Sequence, residues 1–178
     1  MESFGKSDLG QKSVLIRKST TSERSYWVSF ASRYLGFLVV ANLIWEFVHM
    51  PLYGLWSEGS WSEIIFSGLH CTIGDLMIAT VSLLLGVALA GRSGWSKSQP
   101  SAVAIVTIVI GLSYTAYSEW LNVYVRETWS YSELMPLLPG TGLGISPLGQ
   151  WIILPVIGFL VTYRGASSRT STVFNNKN

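Results

Sequence analysis

Four long apolar stretches constrain this chain more than any other feature of its sequence. Each is close to the length of about 20 residues with which an α-helix crosses a bilayer. Only 12% of the residues are charged, whereas a typical soluble domain has about 25%. The sequence therefore predicts an all-α, polytopic membrane protein whose main partner is the lipid bilayer. The predicted transmembrane helices occupy roughly residues 34–54, 71–91, 101–122 and 147–164 of one domain, residues 26–165.

The distribution of basic residues predicts the orientation of these helices. Eleven of the 12 Lys and Arg residues lie before the first stretch, between the second and third, or at or beyond the end of the fourth, and only Arg126 lies elsewhere. Cytoplasmic loops of membrane proteins carry an excess of Lys and Arg. We therefore expect two tandem hairpins with both termini in the cytoplasm. Residues 1–25 are expected to be a flexible basic tail, and residues 166–178 a second cytoplasmic tail.

A carboxylate and an imidazole stand three residues apart inside the first apolar stretch. Glu46 and His49 share one helix face at this spacing, and the same face includes Asn42 and Tyr53. Ionisable side chains at membrane depth are costly, so they usually face the interior of a bundle. This stripe therefore predicts a buried polar site.

Polar residues of the other stretches lie toward the same predicted outer side of the membrane. We expect these residues to converge with Glu46 and His49 near that face. They are His70 and Asp75 in the second stretch, Glu119 and Asn122 in the third, and Gln150 in the fourth. The second stretch also places Ala79, Ser82, Gly86 and Ala90 at helical spacing, which predicts close packing of helix backbones.

The two halves of the chain carry similar patterns, which predict an internal duplication. Glu46 and His49 in the first half match Glu119 and Asn122 in the second. The sequences Ser60-Trp-Ser-Glu63 and Ser130-Tyr-Ser-Glu133 are both capping boxes, so each is expected to start a short interfacial helix. Two hairpins of equal orientation would be related by a pseudo-two-fold axis along the membrane normal.

One function suggested by these residues is the binding of a metal ion. A Glu-x-x-His pair presents ligands from one helix in di-iron bundles, but the matching position in the second half is Asn122. A single divalent ion such as zinc is therefore more plausible than a di-iron centre. The candidate ligands are Glu46, His49, His70 and Asp75.

Two other classes of function remain open. One is a membrane-embedded enzyme that acts on a lipid-like substrate, with His49 or His70 as a general base beside a carboxylate. The other is a non-catalytic subunit or small carrier, and homo-oligomerisation also stays open. Nucleic-acid binding has no support, because the net charge is only +2. The single cysteine, Cys71, excludes an intrachain disulfide framework.

The chain resembles a group of small bacterial inner-membrane proteins that has no assigned activity. The resemblance covers roughly residues 42–151 and implies a location in the bacterial cytoplasmic membrane. It implies no catalytic residues. The segments that carry it are Trp45-Glu46, His70-Cys-Thr-Ile-Gly-Asp75, Ser118-Glu-Trp-Leu-Asn-Val-Tyr124, Trp129-Ser-Tyr-Ser-Glu-Leu-Met-Pro136 and Pro147-Leu-Gly-Gln-Trp151.

Overall fold

The computed structural model describes the backbone of residues 4–90 and 100–175, and the side chains of residues 27–90 and 101–163. Within these residues the fold is all-helical, as predicted. A single 3₁₀ turn, Met50–Leu52, follows the first helix, and a π-helical turn, Leu121–Val125, follows the fourth. The α-helices are α1 (Phe4–His49), α2 (Leu55–Glu58), α3 (Trp61–Ala90), α4 (Pro100–Trp120) and α5 (Ile145–Asn175).

Four helical segments are long and apolar enough to cross a membrane, which confirms the predicted number. Their outward faces carry large apolar side chains, such as Val48, Phe66 and Met77, each exposed over more than 60% of its surface. Such faces suit a lipid environment and would be unfavourable in water. The fold is therefore that of a multi-pass membrane protein. The segments are Trp27–Leu52, Trp61–Ala90, Ser101–Val125 and Ile145–Tyr163.

The helices pack in a ring. Helix α1 packs against α3 and α5, and α4 packs against the same two helices. The apolar core lies between them and includes Tyr34 and Leu38 of α1 and Trp151 of α5. The seam of small residues on α3 is confirmed, because a Cβ atom at Gly86 would collide with the Thr107 hydroxyl of α4.

The first predicted capping box forms, and it starts α3 directly. The Ser60 amide donates to Glu63 Oε2 at 2.8 Å, while the Glu63 amide lies 3.4 Å from Ser60 Oγ. The capping box starts no short helix of its own, and the four-residue helix α2 ends at Glu58, before the box. Instead α3 begins at Trp61, about ten residues before the predicted start of the second stretch.

The prediction of a second capping box was wrong. Residues 126–144 form an irregular loop, and its serines bind the turn that follows α1. The Gly54 amide donates to the Ser130 carbonyl at 2.9 Å, and the Ser132 amide donates to the Leu52 carbonyl at 2.9 Å. Pairing with this turn replaces the helix that the local sequence favours, and it brings both connections to one end of the bundle.

The helices also extend beyond the predicted membrane domain. Helix α1 includes residues 4–25, for which the sequence indicates a flexible tail, and α5 continues to Asn175. The side chains of residues 1–26 and 164–178 and the whole of 91–99 lie outside the described part of the chain. Nearly all the basic residues lie there, so the orientation in the membrane stays a prediction.

Candidate functional site

The polar stripe of α1 faces the inside of the bundle. Asn42, Glu46 and His49 are each no more than 7% exposed, whereas their neighbours Ile44 and Val48 point outward. Helical periodicity separates the two sets, because residues three or four apart share a face. The Asn42 amide donates to the Leu38 carbonyl at 2.8 Å, which leaves its side-chain oxygen free to accept a hydrogen bond.

The side-chain amide of Gln150 connects three helices. Its nitrogen lies 2.9 Å from Asn42 Oδ1, 3.1 Å from Glu46 Oε1 and 2.8 Å from Asp75 Oδ2. Gln150 is 3% exposed, and Asp75 also lies beside the Glu46 carboxyl. The structure therefore brings Asp75 of α3 and Gln150 of α5 to the stripe of α1, as predicted.

The imidazole of His49 lies between a carboxyl group and a hydroxyl group. His49 Nε2 is 3.2 Å from Glu46 Oε2, and His49 Nδ1 is 3.0 Å from Ser146 Oγ. Both ring nitrogens therefore have a partner. Because Glu46 uses its other oxygen, Oε1, to bind Gln150, the carboxyl group is held from both sides.

A third carboxyl group, Glu119 of α4, is buried beside two tyrosines. The Tyr131 hydroxyl donates to Glu119 Oε2 at 2.6 Å, and the Tyr53 hydroxyl lies 3.5 Å from the same oxygen. The Tyr53 and His49 rings make an edge contact with their centroids 5.3 Å apart. Tyr53 thereby joins the Glu119 group to the Glu46–His49 pair.

Tyr131 reaches this position from the long loop. Its backbone bridges to Tyr53, and its hydroxyl accepts a hydrogen bond of 3.0 Å from the Gly144 amide. Burial and the hydrogen bond to Glu119 raise the pKa of Tyr131 above its ordinary value. Burial, followed by the charge of Glu119, likewise raises the pKa of Tyr53. Both hydroxyls are therefore held in their protonated, hydrogen-bond-donating form.

Two predicted site residues have other surroundings. The Asn122 amide donates to the Ser118 carbonyl of its own helix at 2.9 Å, and its oxygen accepts from Thr128. His70 lies on the exposed face of α3, where its ring stacks on Phe66. The side-chain contacts described above for these two residues are therefore with groups other than Glu46, Asp75 and Gln150.

The arrangement of the site does not match a metal centre. Within residues 27–90 and 101–163, no three His, Cys, Asp or Glu side chains are grouped as metal ligands. The Glu46 oxygens and both His49 nitrogens already face hydrogen-bond partners. What the site offers is a set of buried acceptors around the Gln150 amide, and one of them, Asp75, also has side-chain hydrogen bonds with Trp151 and Glu46.

Sequence reasoning missed two members of the site, Ser146 and Tyr131. Ser146 lies four residues before Gln150 and thus one turn away on the same face of α5, so its spacing was a usable signal. Tyr131 lies inside the predicted second capping box, and only the pairing of the loop with the turn after α1 places its hydroxyl beside Glu119. No local pattern indicates that pairing.

No family model, curated protein or solved structure matches this chain. Function therefore has to be argued from the chemistry of the site.

Proposed function

We propose that this chain is a multi-pass protein of the bacterial cytoplasmic membrane that binds a small cationic ligand. The binding site comprises Glu46, Asp75 and Gln150, and it lies near the periplasmic face. The excess of basic residues on the opposite side supports this orientation. The resemblance to bacterial inner-membrane proteins supports the location.

The observation that carries the proposal is a shortage of donor hydrogens around Gln150. Its amide group has two hydrogens but faces three acceptors, on Asn42, Glu46 and Asp75. One acceptor is therefore left without a hydrogen from Gln150. Asp75 has two further side-chain hydrogen bonds, one with Trp151 and one with Glu46. Because the bond to Glu46 joins two carboxyl groups, one of the two must carry a proton, and a cation that donates hydrogen bonds could take the place of that proton.

The charges of the site point to the same kind of ligand. Glu46, Asp75 and Glu119 bring three carboxyl groups into one end of the bundle, where His49 is the accompanying base. Arg33 and Arg126 are the basic residues among the described side chains, and Arg126 lies exposed on the loop. Removing uncompensated carboxylates from water is costly, so a bound cation would stabilise this arrangement.

A protonated amine fits the site better than a bare metal ion. An ammonium group presents several directed donors, as Lys does, and these suit separate acceptors on α1 and α3. A metal ion instead needs closely grouped ligands, and such a group was not found in the described part of the chain. Exposed Glu58, Glu127 and Glu133 at the same end would attract cations toward it.

Ligand binding of this kind suits a small carrier or a ligand-sensing subunit. In either role the ligand would join α1, α3 and α5 through the same set of acceptors. We propose that the unit which binds is the single four-helix bundle, because α1 and α3 together supply the acceptors that surround Gln150 of α5. Homo-oligomers would then repeat the site and would not be needed to complete it.

Thermal unfolding of the detergent-purified protein tests the proposal. Ethanolamine, spermidine and zinc chloride would be titrated separately, and we expect saturable stabilisation by at least one amine. A ligand at 100 times its Kd stabilises a protein by about 2.7 kcal/mol. Asp75→Asn should abolish the effect, because it removes one carboxylate and adds donors.

The matched control is Glu133→Gln, which alters an exposed carboxylate at the same end. It should respond to the amine as the wild type does. If zinc stabilised the protein and neither amine did, the ligand would be a metal ion and not an amine. The proposal would be rejected if no cation stabilised the wild type, or if Asp75→Asn responded equally.

A further inference from the structure

We propose that Ser146, His49 and Glu46 form a hydrolytic centre that cleaves an acyl ester of a lipid-like substrate. This activity goes beyond cation binding, since it assigns a covalent reaction to a hydroxyl group on α5. It is carried by the position of His49 between Ser146 Oγ at 3.0 Å and Glu46 Oε2 at 3.2 Å.

The three side chains occupy the roles of nucleophile, general base and positioning acid. With the proton of His49 on Nε2, that nitrogen donates to Glu46, and Nδ1 is free to accept the proton of Ser146. A weak hydroxyl nucleophile is activated by an adjacent base that a third group orients. This constellation is recognised by geometry and roles and occurs on unrelated folds. Here the two ring nitrogens exchange the partners that they have in the chymotrypsin-type triad.

The positioning acid is itself fixed by the surrounding structure. Glu46 is 6% exposed, and its Oε1 atom accepts a hydrogen bond from Gln150 at 3.1 Å. Gln150 and Ser146 lie one turn apart on α5. The same helix therefore carries the nucleophile and the group that orients the acid, which keeps their relative positions constant.

Ser146 also lies where negative charge can be stabilised. It belongs to the first turn of the 31-residue helix α5, and the first N–H groups of a helix have no carbonyl partner within it. At this end the Gly144 amide donates to the Tyr131 hydroxyl and the Ile145 amide donates to the Pro136 carbonyl. Pro147 has no N–H, so the N–H of Ser146 itself is the group left at this position. The helix macrodipole adds positive potential at this end. An oxyanion that forms on the substrate beside Ser146 Oγ would therefore meet a favourable electrostatic environment.

The reaction consumes one water molecule per ester. Ser146 Oγ forms a bond to the ester carbonyl carbon while its proton passes to His49 Nδ1. The carbon–oxygen bond to the alcohol then breaks, and the alcohol leaves with the proton from His49. Water next attacks the acyl-serine and gives a proton to His49. The bond to Ser146 breaks, the fatty acid leaves, and Ser146 regains its proton.

The surroundings of the centre indicate a lipid-like substrate. Val48 precedes His49 and is 72% exposed, and Ile145 precedes Ser146 and is 43% exposed. Both apolar side chains lie next to the reactive residues and face outward, where the bilayer would lie. Ser146 itself is half-buried. A substrate with an acyl chain in the bilayer could thus bring its ester carbonyl to this end of the bundle.

Labelling with a fluorophosphonate probe tests the nucleophile directly. Wild-type protein in lipid nanodiscs should be labelled, and peptide mapping should place the probe on Ser146. Ser146→Ala should lose labelling, and His49→Gln should react at least about 100-fold more slowly, the usual scale of general-base catalysis. Ser62→Ala, which removes an exposed hydroxyl at the same end, should label as the wild type does.

Hydrolysis of p-nitrophenyl butyrate tests Glu46 as a positioning residue. In Glu46→Gln, a donating amide would force the His49 proton onto Nδ1, so that the base can no longer accept from Ser146. We expect kcat to fall at least about 100-fold with KM unchanged, whereas a general loss of structure would also change KM and the circular dichroism spectrum.

Each outcome of these experiments bears on the hydrolytic centre. Absence of labelling and hydrolysis in folded wild-type protein would overturn it, as would a probe mapped to another residue. Even if Ser146→Ala fails to fold, peptide mapping of the probe on the wild-type protein shows whether Ser146 is the nucleophile. The result is separable from cation binding, because Ser146→Ala removes the nucleophile and leaves every carboxyl group of the cation site in place.

Discussion

The Tyr131 hydroxyl donates a hydrogen bond of 2.6 Å to the buried carboxyl group of Glu119. Tyr131 belongs to the irregular loop, and Glu119 lies in the last turn of α4. The loop is therefore anchored inside the bundle and not only at its surface. Since the same hydroxyl accepts from the Gly144 amide, it also holds the segment that leads into α5 and Ser146.

Tyr131→Phe should destabilise the protein by about 1.5–3 kcal/mol, the range for hydrogen bonds to charged groups. The change removes the donor and leaves Glu119 buried. Tyr117→Phe alters an exposed hydroxyl two residues before Glu119 and should change stability by less than about 0.5 kcal/mol. Unfolding in mixed micelles with increasing dodecyl sulfate measures both. Equal stability of the two variants would contradict the anchoring role.

The raised pKa of Tyr131 predicts a loss of stability in alkali. Because the folded pKa lies above the unfolded value of about 10, the unfolded state releases this proton first as the pH rises. The contribution to stability is complete below about pH 10 and is lost above it. Tyr53 should contribute in the same direction. Unfolding measured at increasing pH should therefore show that Tyr131→Phe loses less stability in alkali than Tyr117→Phe, which removes an exposed hydroxyl. Identical dependences of stability on pH in the two variants would contradict the raised pKa of Tyr131.

Gly86→Ala should destabilise the bundle by about 1–3 kcal/mol, the usual range for overpacking. Its new Cβ atom would meet the Thr107 hydroxyl and lie 3.1 Å from the Val103 carbonyl oxygen. Gly74→Ala is the matched control on the same helix, because nothing lies within 4 Å of a Cβ atom there. That variant should gain up to about 1 kcal/mol from helix propensity. If Gly74→Ala were also destabilised, the loss of stability in Gly86→Ala could not be attributed to the collision with α4.

Cysteine labelling tests the orientation in the membrane. In a Cys71→Ser background, Ser60→Cys and Ser132→Cys should react with an impermeant thiol reagent from the periplasm, and Ser96→Cys should not. The reason is the positive-inside distribution of Lys and Arg. The pairing of Gly54 with Ser130 further requires Ser60 and Ser132 to label from the same side. Ser96 itself lies in the segment that the structure does not describe.

The apolar stretches and their spacing were sufficient to predict the helices of this fold. A helix satisfies its backbone hydrogen bonds internally. The composition of a single stretch of sequence is therefore enough to predict that the stretch crosses the membrane as a helix. The predicted start of α3 lies about ten residues after the observed one, Trp61, because the capping box at Ser60 was assigned to a separate short helix. The box instead continues without interruption into the span, since no residue between Trp61 and Asp75 is a helix-breaking proline.

The candidate site was predictable where its residues carry a polar or ionisable group within an apolar helix. Glu46, His49, Asp75 and Gln150 stand out from their surroundings in this way and meet as expected. Glu119 also points inward, but its partners come from residues 53 and 131. Those contacts depend on how a turn and a distant loop pair, and such long-range pairing leaves no periodic signal in the sequence.

The contact of Gln150 with three helices has a consequence for biogenesis. The Glu46 and Asp75 carboxyls belong to the first and second spans, while the amide that binds both belongs to the last. During synthesis the two acids thus leave the ribosome well before their shared donor exists. Closure of the ring by α5 is therefore the step at which both carboxyl groups gain the amide donor that they share.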